Sequence, residues 1–249
     1  MYLADDMGNH YFKFKQFTIQ QDHCAMKVCT DACLFGALVA NRLSQKVHVK
    51  DAVHCLDIGT GTGVLALMLA QKNPQAQIDL VEIDADAAKQ ATENISSSPW
   101  FNRLHIYNVD ILEFLPDKTY DYILTNPPFF EADLKSPDKV KNKAKHDTSL
   151  SLKQVLLKAE NFLSARGTLA VLLAHRQVNG FIEEASKLGL YPNRQIRVKQ
   201  TGNHPYFRGI LFFSRVEAIS KNTELIIKDD EGQYTMAFTE ALKDYYLFL

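Results

Sequence analysis

The chain reads as an α/β fold built on a mostly parallel sheet. Three observations carry that reading. From residue 53 onward, segments with strand periodicity alternate with segments of helical periodicity. A glycine-rich turn, Gly59-Thr60-Gly61-Thr62-Gly63, stands between the first such strand and the helix after it. The 249 residues, 46% of them hydrophobic, suffice for a single domain over 1–249 with a sizeable core.

Taken in order, residues 1–50 are expected to form a small hairpin and a helix lying over the site, ahead of a catalytic core at 51–249. Residues 53–58 are the first predicted strand and 64–72 the helix that follows, stopped by Asn73-Pro74. The second strand is 77–83. Asp84 is placed to cap a helix over 85–95. Strands at 104–109 and 120–125 follow. Residues 131–148 are polar and lysine-rich and read as a loop. A helix at 151–163, a Gly167 turn, a strand at 168–174 and a helix at 181–188 ending on Gly189 come next. Two strands, 194–199 and 209–216, are joined by a Gly/Asn/His/Pro turn. The tail is expected to add a strand at 225–228 and a short aromatic-rich helix.

The strand ends hold the chemistry. In Asp57-Ile58-Gly59-Thr60-Gly61-Thr62-Gly63 the glycines permit a tight turn and close backbone approach to a ligand. The spacing is not that of the dinucleotide fingerprint. A carboxylate at position 57 would repel a pyrophosphate and attract an ammonium, which suits an amino-acid-bearing nucleoside, S-adenosylmethionine. Glu82, about 20 residues beyond the turn, is placed to accept from ribose hydroxyls, with Ile83 beside it. Asp110 ends the third strand, positioned for an adenine amine, and Val109 for packing against that ring. In an open α/β sheet, ligands lie outside the carboxyl ends of the strands.

The fourth strand ends on Asn126-Pro127-Pro128-Phe129. Two prolines fix the backbone and remove two N–H donors, and Asn126 before a proline is held extended. An aromatic amine is a poor nucleophile because its lone pair is delocalised into the ring. The Asn126 side-chain carbonyl and the Pro127 backbone carbonyl are suited to accept its two N–H hydrogens, aiming the nitrogen at a methyl donor. Phe129 offers a stacking face.

The order of these motifs resembles class I S-adenosylmethionine-dependent methyltransferases of the amino-methylating type. Phe12-Lys13-Phe14-Lys15-Gln16-Phe17, with Cys24-Ala25-Met26-Lys27-Val28 and Thr30-Asp31, resembles more narrowly the bacterial valine-tRNA adenine N6-methyltransferases. The resemblance spans roughly residues 10–216 and implies a Rossmann-like fold. Its sheet would be seven-stranded and mostly parallel, with helices on both faces and an antiparallel last strand. It implies S-adenosylmethionine as cofactor and tRNA as partner, with the purine just 3′ of the anticodon as acceptor. Asp57, Gly59, Gly61, Gly63, Glu82 and Asp110 then fall on cofactor positions, and Asn126 to Phe129 on the catalytic motif. Lys27, Thr30 and Asp31 match a segment that closes over the methionine end. The chain departs from the pattern at Gly202–Arg208, where relatives often carry a Pro-Arg-rich turn. Guanine N2 methylation of ribosomal RNA, glutamine N5 methylation of a release factor, and a non-catalytic cofactor-binding RNA module are the competing readings.

A net charge of −1 gives no global pull toward nucleic acid, so RNA must be met by local patches. Lys135, Lys139, Lys141, Lys143 and Lys145 form one candidate phosphate grip. Arg194, Arg197, Lys199, His204 and Arg208, near Tyr206 and Phe207, form a second, and Lys13 and Lys15 are possible additions. Cys24, Cys29, Cys33 and Cys55 contain no C-x-x-C pair and are expected to be buried reduced thiols without a metal. The first ten residues hold no apolar stretch, so no leader is expected. The chain is expected to be cytoplasmic, monomeric and free of membrane contact.

Overall fold

The computed structural model describes residues 10–24, 26–46, 52–127 and 152–249. Pro128, Phe129, Lys135, Lys139, Lys141, Lys143 and Lys145 lie outside these. The N-terminal hairpin pairs β1 (Tyr11–Lys13) with β2 (Thr18–Gln20), and α1 (Thr30–Lys46) follows. The main sheet is made of β3 (Val53–Ile58), β4 (Ala76–Glu82), β5 (Leu104–Asn108), β6 (Tyr120–Thr125), β7 (Leu163–Ala174), β8 (Tyr191–Lys199), β9 (Tyr206–Ser214) and β10 (Lys221–Ile226). Helices α2 (Val64–Lys72), α3 (Ala85–Ser96), α4 (Leu152–Phe162), α5 (Val178–Lys187) and α6 (Met236–Leu242) connect and cover them.

The strand order is β10-β8-β9-β7-β6-β3-β4-β5. β5, β4, β3, β6 and β7 run parallel, and β9 is antiparallel to both neighbours, β7 and β8. The expected α/β sheet is therefore present with one strand added, since β10 joins in parallel beside β8. Alternation along the buried strands splits the core in two. Cys55, Tyr122, Leu124, Ala170 and Leu172 face the side of α1, α2 and α6. Leu56, Ile123, Leu169, Val171 and Leu173 face α4 and α5. α2 is buried all round from Val64 to Ala70, enclosed between the sheet, α1 and the C-terminal segment, where the Tyr245 hydroxyl donates to the Met68 carbonyl at 3.0 Å.

Several details differ from the sequence reading, among them the starts of β8 and β9, which lie earlier at Tyr191 and Tyr206. Gly167 lies inside β7 rather than in a turn. A Cβ there would stand 2.7 Å from Leu163 Cδ1 and 3.0 Å from the Tyr120 carbonyl, at the place where β6 and β7 shift register. β10 begins at Lys221 because it follows the register of Arg194 to Lys199 on β8. Cys24, Cys33 and Cys55 are buried, whereas Cys29, just before α1, is exposed. Lys15 is tied to the Lys243 and Tyr245 carbonyls, close to the C-terminal end of α2 and away from the strand ends that carry the site. No helix among the described residues is long and apolar enough to cross a membrane.

A buried polar knot fixes the opposite end of the sheet. Asp79, 2% exposed on β4, accepts from the Tyr120 hydroxyl at 2.7 Å and faces Lys118 Nζ at 2.8 Å. Removing the carboxylate strands a buried phenol, so Asp79→Ala is expected to destabilise the fold by about 1–3 kcal/mol. Urea unfolding checks this, and an unchanged midpoint would discard the role given to Asp79.

Candidate functional site

The parallel register brings the predicted residues to one edge. Ile58 is paired with Val81 on one side and Thr125 on the other, Glu82 with Asn108, and Thr125 with Val171. Asp57, Glu82, Asp110 and Asn126 thus stand at or just beyond four adjacent strand ends.

The turn after β3 depends on its glycines. Gly59, Gly61 and Gly63 have φ of +70°, +55° and +81°, the left-handed region that a side chain disfavours. The Gly59 and Thr60 N–H groups donate to the Val81 carbonyl, which ties the turn to β4. Gly61 N–H donates to Glu82 Oε2 at 2.8 Å and Asp84 N–H to Glu82 Oε1 at 3.0 Å. Glu82 is therefore held by two backbone donors, leaving further lone pairs for a ligand. Asp84 caps α3 through the Ala87 N–H at 2.8 Å. Asp110 Oδ1 accepts from Leu112 N–H at 2.9 Å, and Val109 N–H donates to the Glu82 carbonyl at 3.1 Å. Ile83 is exposed between them.

Asp57 is fully buried. Its Oδ2 accepts from the Thr60 hydroxyl at 2.6 Å, while Oδ1 accepts no hydrogen bond among the described residues. Burial pushes its pKa from 3.8 to about 7. The Thr60 hydroxyl opposes that rise, the nearby Glu82 charge adds to it, and the Ala66 backbone N–H offsets it a little further. A second buried acceptor stands two strand-ends from Glu82, because Asn126 Oδ1 also has no donor among the described residues. Pro127 beside it is buried. Buried polar atoms are rarely left without partners. Two such orphans at adjacent strand ends mark places where a ligand's N–H groups fit: a cationic amine against Asp57, a neutral amine against Asn126.

The N-terminal segment meets this edge through α3. Asn94 exchanges two hydrogen bonds with the Gln20 backbone, at 2.8 and 2.9 Å, and donates to the Thr62 carbonyl of the glycine turn at 2.9 Å. Gln90 accepts from His23 N–H. Lys27 is exposed, with Nζ 3.2 Å from the Gln21 carbonyl, and Thr30 opens α1. Asp31 is buried and pairs with Arg208 Nε at 2.6 Å, joining α1 to β9. Arg208, a candidate for RNA, is thus engaged by Asp31. Arg194 shares the α1 side of the sheet with Arg42 and Tyr122; burial first, and then the Arg42 charge, hold its pKa below the usual arginine value. Thr60, Asn94 and the Asp31–Arg208 pair had no local sequence signal; each depends on contacts made by folding.

The methyltransferase small domain family model matches residues 36–185. A tRNA1(Val) (adenine(37)-N6)-methyltransferase of Dyadobacter fermentans is 40% identical over 243 residues, covering 96% of this chain and 98% of the relative. One of the same name from Parabacteroides distasonis is 38% identical over 97% of this chain and 99% of its own length. Among solved structures, a predicted O-methyltransferase from Agrobacterium tumefaciens superposes with a TM-score of 0.63 at 15% identity, covering 86% of this chain and 96% of its own, a likeness of fold.

Below about pH 4 Asp57 is protonated in folded and unfolded chains alike, and its raised pKa adds its full stabilisation to the ligand-free fold. That contribution falls as pH rises and is lost above about pH 7, where the buried group must ionise. Asp57→Asn is therefore expected to raise the melting temperature of the ligand-free protein at pH 8, by the equivalent of a few kcal/mol (about 1.4 kcal/mol for each unit by which burial raises the pKa), and to change it little at pH 4. An equal effect at pH 4 and pH 8 would exclude ionisation as the cause.

Proposed function

This chain belongs to the methyltransferase small domain family, among the bacterial tRNA1(Val) (adenine(37)-N6)-methyltransferases, and we propose that it methylates the exocyclic N6 amine of that adenine using S-adenosylmethionine. The two orphaned buried acceptors, Asp57 Oδ1 and Asn126 Oδ1, are the observation that carries this reading. Similarity along nearly the whole chain, the N-terminal hairpin included, supports adenine over a guanine or a glutamine acceptor.

The residues present fit the cofactor. Ionised Asp57 would hold the methionine ammonium below the glycine turn, and Glu82 would accept from the ribose. Asp110 and Val109 would meet the adenine, while Lys27, Thr30 and Asp31 would close the methionine end. The sulfonium supplies the methyl group. The chain's part in the chemistry is positional and electrostatic. Asn126 Oδ1 accepts one N–H of the target amine, and the Pro127 carbonyl accepts the other. Together they turn the nitrogen's lone pair out of conjugation with the ring and leave a partial negative charge where positive charge develops. Phe129 would stack on the base. A strong base is unnecessary, since the N–H proton becomes acidic only as the new bond forms and passes to solvent. The protein is expected in the cytoplasm as a monomer.

Asn126→Ala is expected to lower kcat by roughly 10²–10³-fold, the usual loss for one preorganised polar group, while calorimetry shows cofactor affinity intact. Turnover on tRNA at the wild-type rate would overturn the role assigned to Asn126. Cofactor affinity should tighten as pH rises from 6 to 7, by up to about tenfold, as Asp57 ionises; a flat profile would remove Asp57 from the ammonium site.

A further inference from the structure

Past β7 the sheet runs on through β9, β8 and β10, and its two faces differ. On the α1 side, Ile196, Val198, Leu225 and Ile227 are buried in the core. The alternate positions, Arg197 and Lys199 on β8 and Glu224 on β10, point to the other face, where α5 packs on β9 through Val178 beside Gly209 and Phe181 against Phe213. These residues are gathered around one ring. Arg197 Cζ and Lys199 Nζ each lie 4.7 Å from the Tyr206 ring centroid, and His175, directly after β7, lies 5.1 Å from it. The Tyr206 hydroxyl donates to Glu224, whose carboxylate also faces Lys199 Nζ at 3.5 Å. The ring and the carboxylate hold two cations in fixed places beside solvent.

The position of this cluster matters as much as its charge. β9 is antiparallel, so its first residues return to the edge where β6 and β7 end. Ala174 is paired with Arg208, and Lys199 with Tyr206. Strands are spaced about 4.8 Å apart, so β9 and β8 stand roughly 10–15 Å from Asn126 along the same rim. The chain as a whole carries a charge of −1, which makes two ordered cations beside the acceptor site a local feature.

We propose that Arg197 and Lys199, seated on Tyr206, grip backbone phosphates of the RNA strand that flanks the target adenine. This rests on the proposed reaction and narrows the second basic group of the sequence. Arg208 is held at 2.6 Å by buried Asp31, a closer pair than Lys199 with the more exposed Glu224 at 3.5 Å, and Arg194 faces α1, so neither belongs to the grip. The occupant is a polyanion in register with the acceptor site; an acidic protein segment is the alternative that the test must exclude.

The test uses the full chain and an unmodified tRNA transcript. Wild-type turnover comes first, and its absence would defeat the reaction assigned above rather than the grip. tRNA binding followed by fluorescence anisotropy then still compares wild type with the variants. Arg197→Ala and Lys199→Ala are each expected to raise KM for tRNA several-fold, and the double variant more. Cofactor affinity and melting temperature should stay at wild-type values. The slope of log affinity against log salt should shrink by about one for each contact removed. Lys187→Ala, which removes a charge near the C-terminal end of α5, should leave KM unchanged. A double variant with wild-type KM and salt slope overturns the grip. So does a rise in KM without a change in slope, or an equal effect in Lys187→Ala; weakened binding of an acidic peptide with unaltered tRNA binding would assign the face to a protein instead.

Discussion

Asp57 is held fully buried at the carboxyl end of β3, with the Thr60 hydroxyl on one oxygen and, among the described residues, no hydrogen-bond donor on the other. Ionising a carboxylate in such a place is unfavourable, and much of the surrounding geometry bears on it. The three left-handed glycines bring backbone rather than side chains over it. Glu82 sits close enough to add its charge, yet is itself fastened by the Gly61 and Asp84 N–H groups. The site tolerates an uncomfortable charge in the ligand-free state, and such strain is commonly relieved by binding.

The acceptor half rests on a different constraint. Asn126 lies where a buried strand gives way to a proline-fixed segment, so its side chain is aimed by backbone that cannot relax into a helix. Register does the rest. β6 lies between β3 and β7, so the residue that follows it is placed beside the glycine turn on one side and the C-terminal strands on the other. One sheet edge would thus join the three proposed tasks: holding the donor, aiming the acceptor and meeting the strand to which the acceptor belongs.

The glycine turn and the strand-end positions of Asp57, Glu82 and Asn126 were legible in the sequence because each belongs to a local signature at the end of a strand. The Asp84 cap was legible for the same reason. What was not legible depends on distant pairings. Arg194, Arg197 and Arg208 look equivalent in the sequence, but only knowledge of which β8 positions enter the core separates them. Ile196 and Val198 do so, which turns Arg197 outward. Gly167 misled because a glycine after a helix usually ends it, whereas here it admits a close approach of β6. Asn94 and Asp79 are ordinary polar residues until the hairpin and Tyr120 reach them.

Tyr245, packed against α2 with its hydroxyl on the Met68 carbonyl, is separated from that partner by 177 positions, and Lys72 from Asp244 by 172. The helix that opens at the glycine turn is therefore enclosed by residues from the far end of the chain. Contacts of such long sequence separation form slowly, because a large loop must close before they stabilise anything. Until then the apolar surface of α2 stays open to other chains. The glycine turn, the proposed cofactor site, is thus assembled early in local structure but late in its support, and the open apolar surface favours aggregation most in that interval.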